Sequence, residues 1–169
     1  IVGGASSMGK TSFALALAYN AAKYTNTPTV IFSYEMSALQ LIRRLASMES
    51  EINNKYITNG TLNNDELKSI HKSIAEIEKI PLNIDEGNLT SLSYLVHRIK
   101  EYVKTKKVKL VMIDYLQLVS SKNKAGSREQ EVSKVARTLK NLAKELNITV
   151  IALSQLNRGV GMRNNSKPT

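Results

Sequence analysis

The sequence predicts a doubly wound α/β domain on a mainly parallel sheet, and three observations carry that expectation. Short β-branched apolar runs recur along the chain, segments of helical period separate them, and a glycine-rich turn, "GGASSMGKTS", joins the first run to the first helix. Alternation of this kind puts helices on both faces of a sheet, with the functional groups gathered at the carboxyl ends of the strands.

The elements follow in order. Ile1 and Val2 read as the end of a strand, because the glycine turn comes at once. "TSFALALAYNAAKY", Thr11 to Tyr24, is rich in strong helix formers and stops at Asn26 to Pro28. "TVIFSYE", Thr29 to Glu35, reads as a buried parallel strand carrying Glu35 at its end. Leu39, Ile42, Leu45 and Met48 recur at helical spacing, and Leu67, Ile70, Ile74 and Ile77 do so again behind Asn64 as the N-cap. "PLNIDE", Pro81 to Glu86, is a weaker strand. Thr90 or Ser91 then caps a helix with Leu92, Leu95, Val96, Ile99 and Val103 on one face. "KLVMIDYLQLV", Lys109 to Val119, reads as a central strand, followed by the polar, basic loop "SSKNKAGSRE". Ser127 and Gln130 match a capping box for a helix with Val132, Val135, Leu139, Leu142 and Leu146 in its stripe. "ITVIALSQL", Ile148 to Leu156, is the last strand, and "NRGVGMRNNSKPT" holds no further periodic element.

A chain of 169 residues fits one domain, residues 1–169, and can bury about two-thirds of its unfolded surface. Hydrophobic residues at 42% and charged residues at 22% are ordinary globular usage, which argues against a disordered or membrane-embedded chain. No apolar run is long enough to span a bilayer and the start lacks a signal-peptide layout, so the expected compartment is the cytoplasm. The absence of cysteine excludes disulfides, thiolate zinc sites and cysteine nucleophiles. A formal charge of +10 favours a polyanionic partner, although lysine-rich solvated helix faces also produce one.

Gly4, Gly9, Lys10 and Thr11 satisfy G-x-x-x-x-G-K-[ST], with a strand before and a helix after. Glycines let the backbone N–H groups of the loop, through Ser6, Ser7 and Met8 to Ser12, turn toward an anion. The helix N-terminus adds partial positive charge, and Lys10 reaches the β- and γ-phosphates of a nucleotide such as ATP. Thr11 offers its hydroxyl to Mg²⁺, and Asp114, closing the run Leu110 to Ile113, offers a carboxylate from a strand end. Glu35 is either the base that orients an attacking water or a glutamate capping the next helix. Gln155 is either a donor to the γ-phosphate or a polar strand end. From the residues alone this is a Mg-ATP-dependent phosphate-loop protein with a basic surface.

Four blocks, "GGASSMGKTSFALALA", "IFSYEMS", "LVMIDYLQL" and "SREQEVSKVARTLKNLAKELNITVIALSQLNRGV", run in order through nearly the whole chain. Together they resemble the RecA-type motor domain of DnaB-like replicative DNA helicases. The resemblance implies a RecA-like P-loop NTPase core in a hexameric ring that hydrolyses ATP, moves along single-stranded DNA and unwinds duplex at a replication fork, with primase and a helicase loader as partners. It implies that Glu35 is the catalytic glutamate, Asp114 the Walker B acid and Gln155 the conformational sensor. The competing assignments are a RecA- or KaiC-like ATPase such as a recombinase, and a module in which nucleotide holds subunits together without unwinding.

Against the family pattern the chain reads as truncated at both ends. The first strand is clipped, and the segments after "SQLNR" that hold much of the DNA loop and the arginine finger are missing, so weak hydrolysis by the isolated chain is expected. Lys122, Lys124 and Arg128, with Arg158, Arg163 and Lys167, are the candidate DNA contacts, or else an ordinary solvated surface. "KTKKVK", Lys104 to Lys109, is read as solvated. His71 and His97 are read as neither catalytic nor metal-binding, and Tyr34 and Tyr115 as packing beside the acids.

Overall fold

The computed structural model describes residues 1–5, 7–87, 91–119 and 128–155. The β-branched runs form five strands: β1 (Val2–Gly4), β2 (Thr29–Ser33), β3 (Leu82–Asp85), β4 (Leu110–Asp114) and β5 (Thr149–Gln155). They alternate with α1 (Lys10–Thr25), α2 (Ala38–Ser50), α3 (Asn54–Asn59), α4 (Asn64–Lys79), α5 (Leu92–Lys106) and α6 (Arg128–Leu146). The strands pair in parallel in the order β1-β5-β4-β2-β3, as expected for a doubly wound sheet. Because β5 and β4 lie between β1 and β2, four carboxyl ends stand side by side. Gly4 is level with Gln155, and Ser33 with Asp114.

Both faces of the sheet are covered, which is why β2 and β4 read as continuous apolar runs; all five residues of each are buried. The period of two then sorts the side chains. Val30, Phe32, Val111 and Ile113 pack with Leu95 and Ile99 of α5 and Val135 and Leu139 of α6. Ile31, Leu110 and Met112 pack on the other face with Leu15 and Ala18 of α1 and Leu41 and Leu45 of α2. Lys23 adds a tie between α1 and α2, donating to Glu49 at 2.6 Å, while the Tyr19 hydroxyl donates to the same carboxylate. The Lys23 ammonium, with Tyr19, holds the Glu49 carboxyl below its ordinary range, and burial together with Glu49 pushes the Tyr19 phenol up to about 12.

Several sequence expectations shift. The apolar run Lys109 to Val119 is strand only through Asp114. It continues as a short 3₁₀ turn, Leu116–Leu118, that buries Leu116 and Val119 in the α5–α6 core, so hydrophobicity there reflects burial without pairing. β2 stops at Ser33, and Glu35 lies two residues past it. In α2 the buried residues are Leu41, Leu45 and Ala46, whereas Leu39 is 56% exposed. The capping box of Ser37 and Gln40 sets the start of that helix and turns Leu41 and Leu45, one turn apart, toward the sheet.

The cap of α4 is Asn63, one residue before the expected Asn64. Its side chain accepts from the Asp65 and Glu66 amides, and Glu66 accepts in return from the Asn63 amide at 2.8 Å. Ser91, one of the two expected caps, caps α5; Thr90 and Ser127 lie outside the described residues. α3 was not expected, because six residues are too few to show a period. Its signals are the Asn53 cap and Gly60, which ends it in the left-handed region. His71 and His97 are exposed, as are Lys104 to Lys107, while Val108 in that run is fully buried. No helix among the described residues is long and apolar enough to cross a membrane.

The exposures in α2 separate two leucines that the sequence pattern treated alike. Leu45→Ala, at a site with 0% exposure, is expected to lower the unfolding free energy by about 2–5 kcal/mol in urea titration. Leu39→Ala is expected to stay within about 0.5 kcal/mol.

Candidate active site

The site begins where β1 gives way to α1. Gly9 precedes the helix at φ 79°, ψ 15°, in the left-handed region where a side chain is disfavoured, and Ser7 is there too at φ 63°. Gly9 has no side chain to cap α1, so amides of the first turn stay available at the positive end of the helix dipole. At Gly4 a Cβ would stand 3.2 Å from Cδ of Lys10; the bare backbone gives the lysine stem its path across the end of β1. Lys10 Nζ donates to the Ala5 carbonyl at 2.5 Å, which uses one of its three protons and leaves two for an anion.

Thr11, one residue into α1, donates from Oγ1 to Oδ2 of Asp114 at 2.7 Å. Asp114 is 5% exposed at the tip of the central strand. Burial raises its carboxyl above the ordinary value of 3.8, opposed by the Thr11 hydrogen bond and the charges of Lys10 and Arg44. A hydroxyl and a carboxylate in contact are the hard oxygen donors Mg²⁺ takes when it completes its octahedron with water and phosphate. Among the described residues no group of three His, Cys, Asp or Glu side chains forms an all-protein cage, so the donor set fits a metal shared with a phosphate ligand.

Glu35 enters from the other side. The Tyr34 amide donates to the Asp114 carbonyl at 2.9 Å, continuing the β2–β4 pairing past the strand end. Ser33 Oγ then closes the next turn, donating to the Met36 carbonyl at 2.7 Å and accepting from its amide at 3.3 Å. Glu35 is left exposed on the same cleft as Lys10, Thr11 and Asp114. Gln155 reaches that cleft from the end of β5. Its amide donates to Gln117 Oε1 at 3.2 Å, and its carbonyl accepts from Gln117 Nε2 at 2.8 Å.

The cleft encloses about 580 Å³, and Ser7, Gly9 and Ser12 also line it. Met8 is 73% exposed and outside the lining, and Gly4 contributes from beneath through Lys10. Tyr115 lines the cleft, whereas Tyr34 packs against the α5–α6 core. Ser6, Lys122, Lys124, Arg158, Arg163, Lys167 and the Arg128 side chain lie outside the described residues. Sequence reasoning missed Gln40, Arg44 and Gln117. The first two are polar residues one turn apart on the helix that starts just after Glu35, a signal that was available. Gln117 was hidden inside an apolar run taken as strand.

A parallel sheet with a glycine-rich G-x-x-x-x-G-K-T turn after β1, a buried acid closing β4 and polar groups at the neighbouring strand tips is the layout of the RecA-like P-loop fold class. Within that class the chain belongs to the DnaB-like helicase C terminal domain family, whose model matches residues 1–169. It is 41% identical to a probable replicative DNA helicase of Trieres chinensis, over 99% of this chain and 37% of that protein. It is 39% identical to the replicative DNA helicase DnaB of a Nostoc species, over 99% of this chain and 19% of that protein. The chain thus spans less than two-fifths of either relative.

Among solved structures it is similar to a DnaB-like replicative helicase described with its primase interactions, with a TM-score of 0.88 and 32% identity over 99% of this chain and 42% of that one. A structure described as an ATPase domain matches with the same TM-score and identity, and there the chain covers 60% of the other. A KaiC-like protein of Pyrococcus horikoshii OT3, 20% identical with a TM-score of 0.61 over 91% of this chain and 61% of that one, shares the fold.

The raised Asp114 carboxyl means that the folded chain binds that proton more tightly than the unfolded chain does. Stability therefore falls as pH rises through the window from 3.8 to the raised value, and above it Asp114 remains an unfavourable buried charge. Asp114→Asn keeps an acceptor for Thr11. With metal chelated it is expected to melt above the wild-type chain at neutral pH, the gain shrinking below about pH 4. Thermal melts at both pH values check this.

Proposed function

We propose that this chain is the ATP-hydrolysing motor domain of a ring-shaped replicative DNA helicase. The observation that carries the reading is a single cleft gathering Lys10, Thr11, Asp114, Glu35 and Gln155 in a chain that the DnaB-like family model matches from end to end.

Each residue has a task that follows from its position. The α1 amides and the two free protons of Lys10 bind the β- and γ-phosphates of ATP. Thr11 and Asp114 would hold Mg²⁺, which when bound supplies polarisation of the phosphoryl oxygens. Glu35, exposed on the cleft and not engaged with Asp114 or Thr11, orients a water and accepts its proton at a carboxylate oxygen. Gln155 donates from its side-chain amide to the terminal phosphate, and Gln117 ties its backbone to the turn that leads toward residues 120–127. Lys122, Lys124, Arg128, Arg158, Arg163 and Lys167 track the phosphate backbone of single-stranded DNA in the channel of a hexameric ring. Residues 1–169 act as one domain, in the cytoplasm, and the whole protein works with a primase and a loader.

Unwinding of a tailed DNA fork by the whole protein that carries this domain tests the reading, with a Glu35→Gln version alongside. The variant is expected to keep its nucleotide affinity while losing about 10²–10⁴-fold in hydrolysis, together with strand separation. ATP hydrolysis that never parts the strands would instead favour a recombinase or a nucleotide-gated assembly. If all six basic residues meet phosphates, affinity for single-stranded DNA is expected to fall about 10²–10³-fold between 50 and 200 mM salt. An affinity that does not change with salt removes the channel contacts.

A further inference from the structure

We infer that Glu86 is a positioning residue for hydrolysis, fixing from the tip of β3 the segment that carries Glu35. The inference rests on the reading of Glu35 as the group that orients the attacking water, and it names what holds that group in place.

Glu35 does not anchor itself. Its side chain is exposed, and among the described residues its carboxylate accepts no hydrogen bond and joins no ion pair. Its place is therefore set by the main chain on either side, residues 34–37 between β2 and α2.

The tip of β3 reaches both ends of that stretch. β2 and β3 pair in parallel with Phe32 level with Asp85, so the residues beyond the two strands run on side by side. At the near end Gly87 lies against Tyr34, where a Cβ on the glycine would stand 2.3 Å from Cε1 of the ring. The Tyr34 hydroxyl is buried with no hydrogen-bond partner among the described residues, so packing alone places that ring. At the far end Glu86 Oε1 accepts from the amide of Ala38, the first residue of α2, at 2.5 Å and across 48 positions of sequence. The capping box of Ser37 and Gln40 occupies their own amides and leaves that of Ala38 for Glu86, whose negative charge suits the positive end of the helix.

Such a tie needs a fixed base, and Asp85 supplies it. This buried carboxylate accepts at Oδ2 from Nε and Nη2 of Arg98, at 3.0 and 2.7 Å, and at Oδ1 from the Gly87 amide at 3.0 Å. Arg98, half-buried on α5, also donates from Nη1 to Glu101 at 2.6 Å. Glu86 thus stands between an anchored acid and a glycine held at φ 57°, and its hydrogen bond carries that rigidity to the main chain three residues past Glu35.

The competing role is a cap for α2 alone, and the two differ in what they protect. Gln40 and Arg44 of α2 line the cleft, so a lost cap disturbs nucleotide binding together with turnover. Lost positioning disturbs the step that Glu35 serves, where a misplacement of about 1 Å costs as much as about 10²-fold in rate.

Steady-state ATP hydrolysis by the whole protein, with ADP affinity measured by titration calorimetry, separates them. Glu86→Ala is expected to lower kcat about tenfold or more, while KM for ATP and the affinity for ADP stay within about threefold. Glu86→Gln, which keeps a carbonyl oxygen for the Ala38 amide, is expected to recover most of the loss. In a Glu35→Gln background Glu86→Ala is expected to add no further loss, because its effect passes through the group already removed. Parallel loss of kcat and ADP affinity, or a full additional loss in the double variant, overturns the assignment and makes Glu86 a cap for α2. Unchanged kcat in Glu86→Ala also overturns it, as does a Glu86→Gln protein no better than the alanine variant. A Glu35→Gln protein that hydrolyses ATP at the wild-type rate overturns the reading of Glu35 itself, an outcome distinct from failure of Glu86 alone.

Discussion

The 2.7 Å hydrogen bond from Thr11 to Asp114 joins residues 103 positions apart, at the start of α1 and the tip of the central strand. Much of the cleft depends on it. The phosphate loop can present amides to an anion only if α1 starts at a fixed height above the sheet, and the acid can share a cation with that anion only if β4 ends at the same height. Parallel pairing supplies the second condition, since Ser33 is level with Asp114 and carries Glu35 just beyond. Glycine at positions 4 and 9 supplies the first, by removing a Cβ that would press on Lys10 and by allowing the left-handed turn into the helix.

The same arrangement sets a conflict between folding and chemistry. A carboxyl with 5% exposure is poorly solvated, and its proton affinity is raised despite the two cations beside it, so the folded chain carries an unfavourable charge at its centre. Around it lie two apolar layers whose largest fully buried side chains include Phe32, Met112, Ile113 and Leu153. Burial of that kind is what lets a strand tip hold a poorly solvated acid without unfolding, and the destabilisation falls at the functional end of the sheet, as it does in many enzymes.

Much of this was legible from the residues. The phosphate loop is visible because glycine spacing, lysine and hydroxyl are all local, and the parallel sheet follows from the alternation of strand and helix. The acid at position 114 is visible because it ends an apolar run. The phase of α2 was not legible, since Leu39, Ile42 and Met48 at plausible spacing competed with Leu41, and the winner was decided by a cap and by contacts with distant strands. Nor was the end of β4 legible: a buried 3₁₀ turn and a buried strand demand the same residues, and only pairing tells them apart. Gln117 escaped with it, because it sits in that 3₁₀ turn and its partners lie on β5, remote in sequence.

The tie made by Gln117 has a genetic consequence. Both of its bonds to position 155 go to the main-chain N–H and C=O, and a further bond reaches the Ser154 hydroxyl at 2.9 Å. Any residue other than proline at 155 preserves the main-chain pair. Replacing the Gln155 side chain therefore removes whatever that side chain detects while the mechanical link stays in place; replacing Gln117 cuts the link and spares the detector. Alleles at the two positions would fall into separate classes, one altering only a side chain on the cleft and the other only the tie between β5 and the turn after β4.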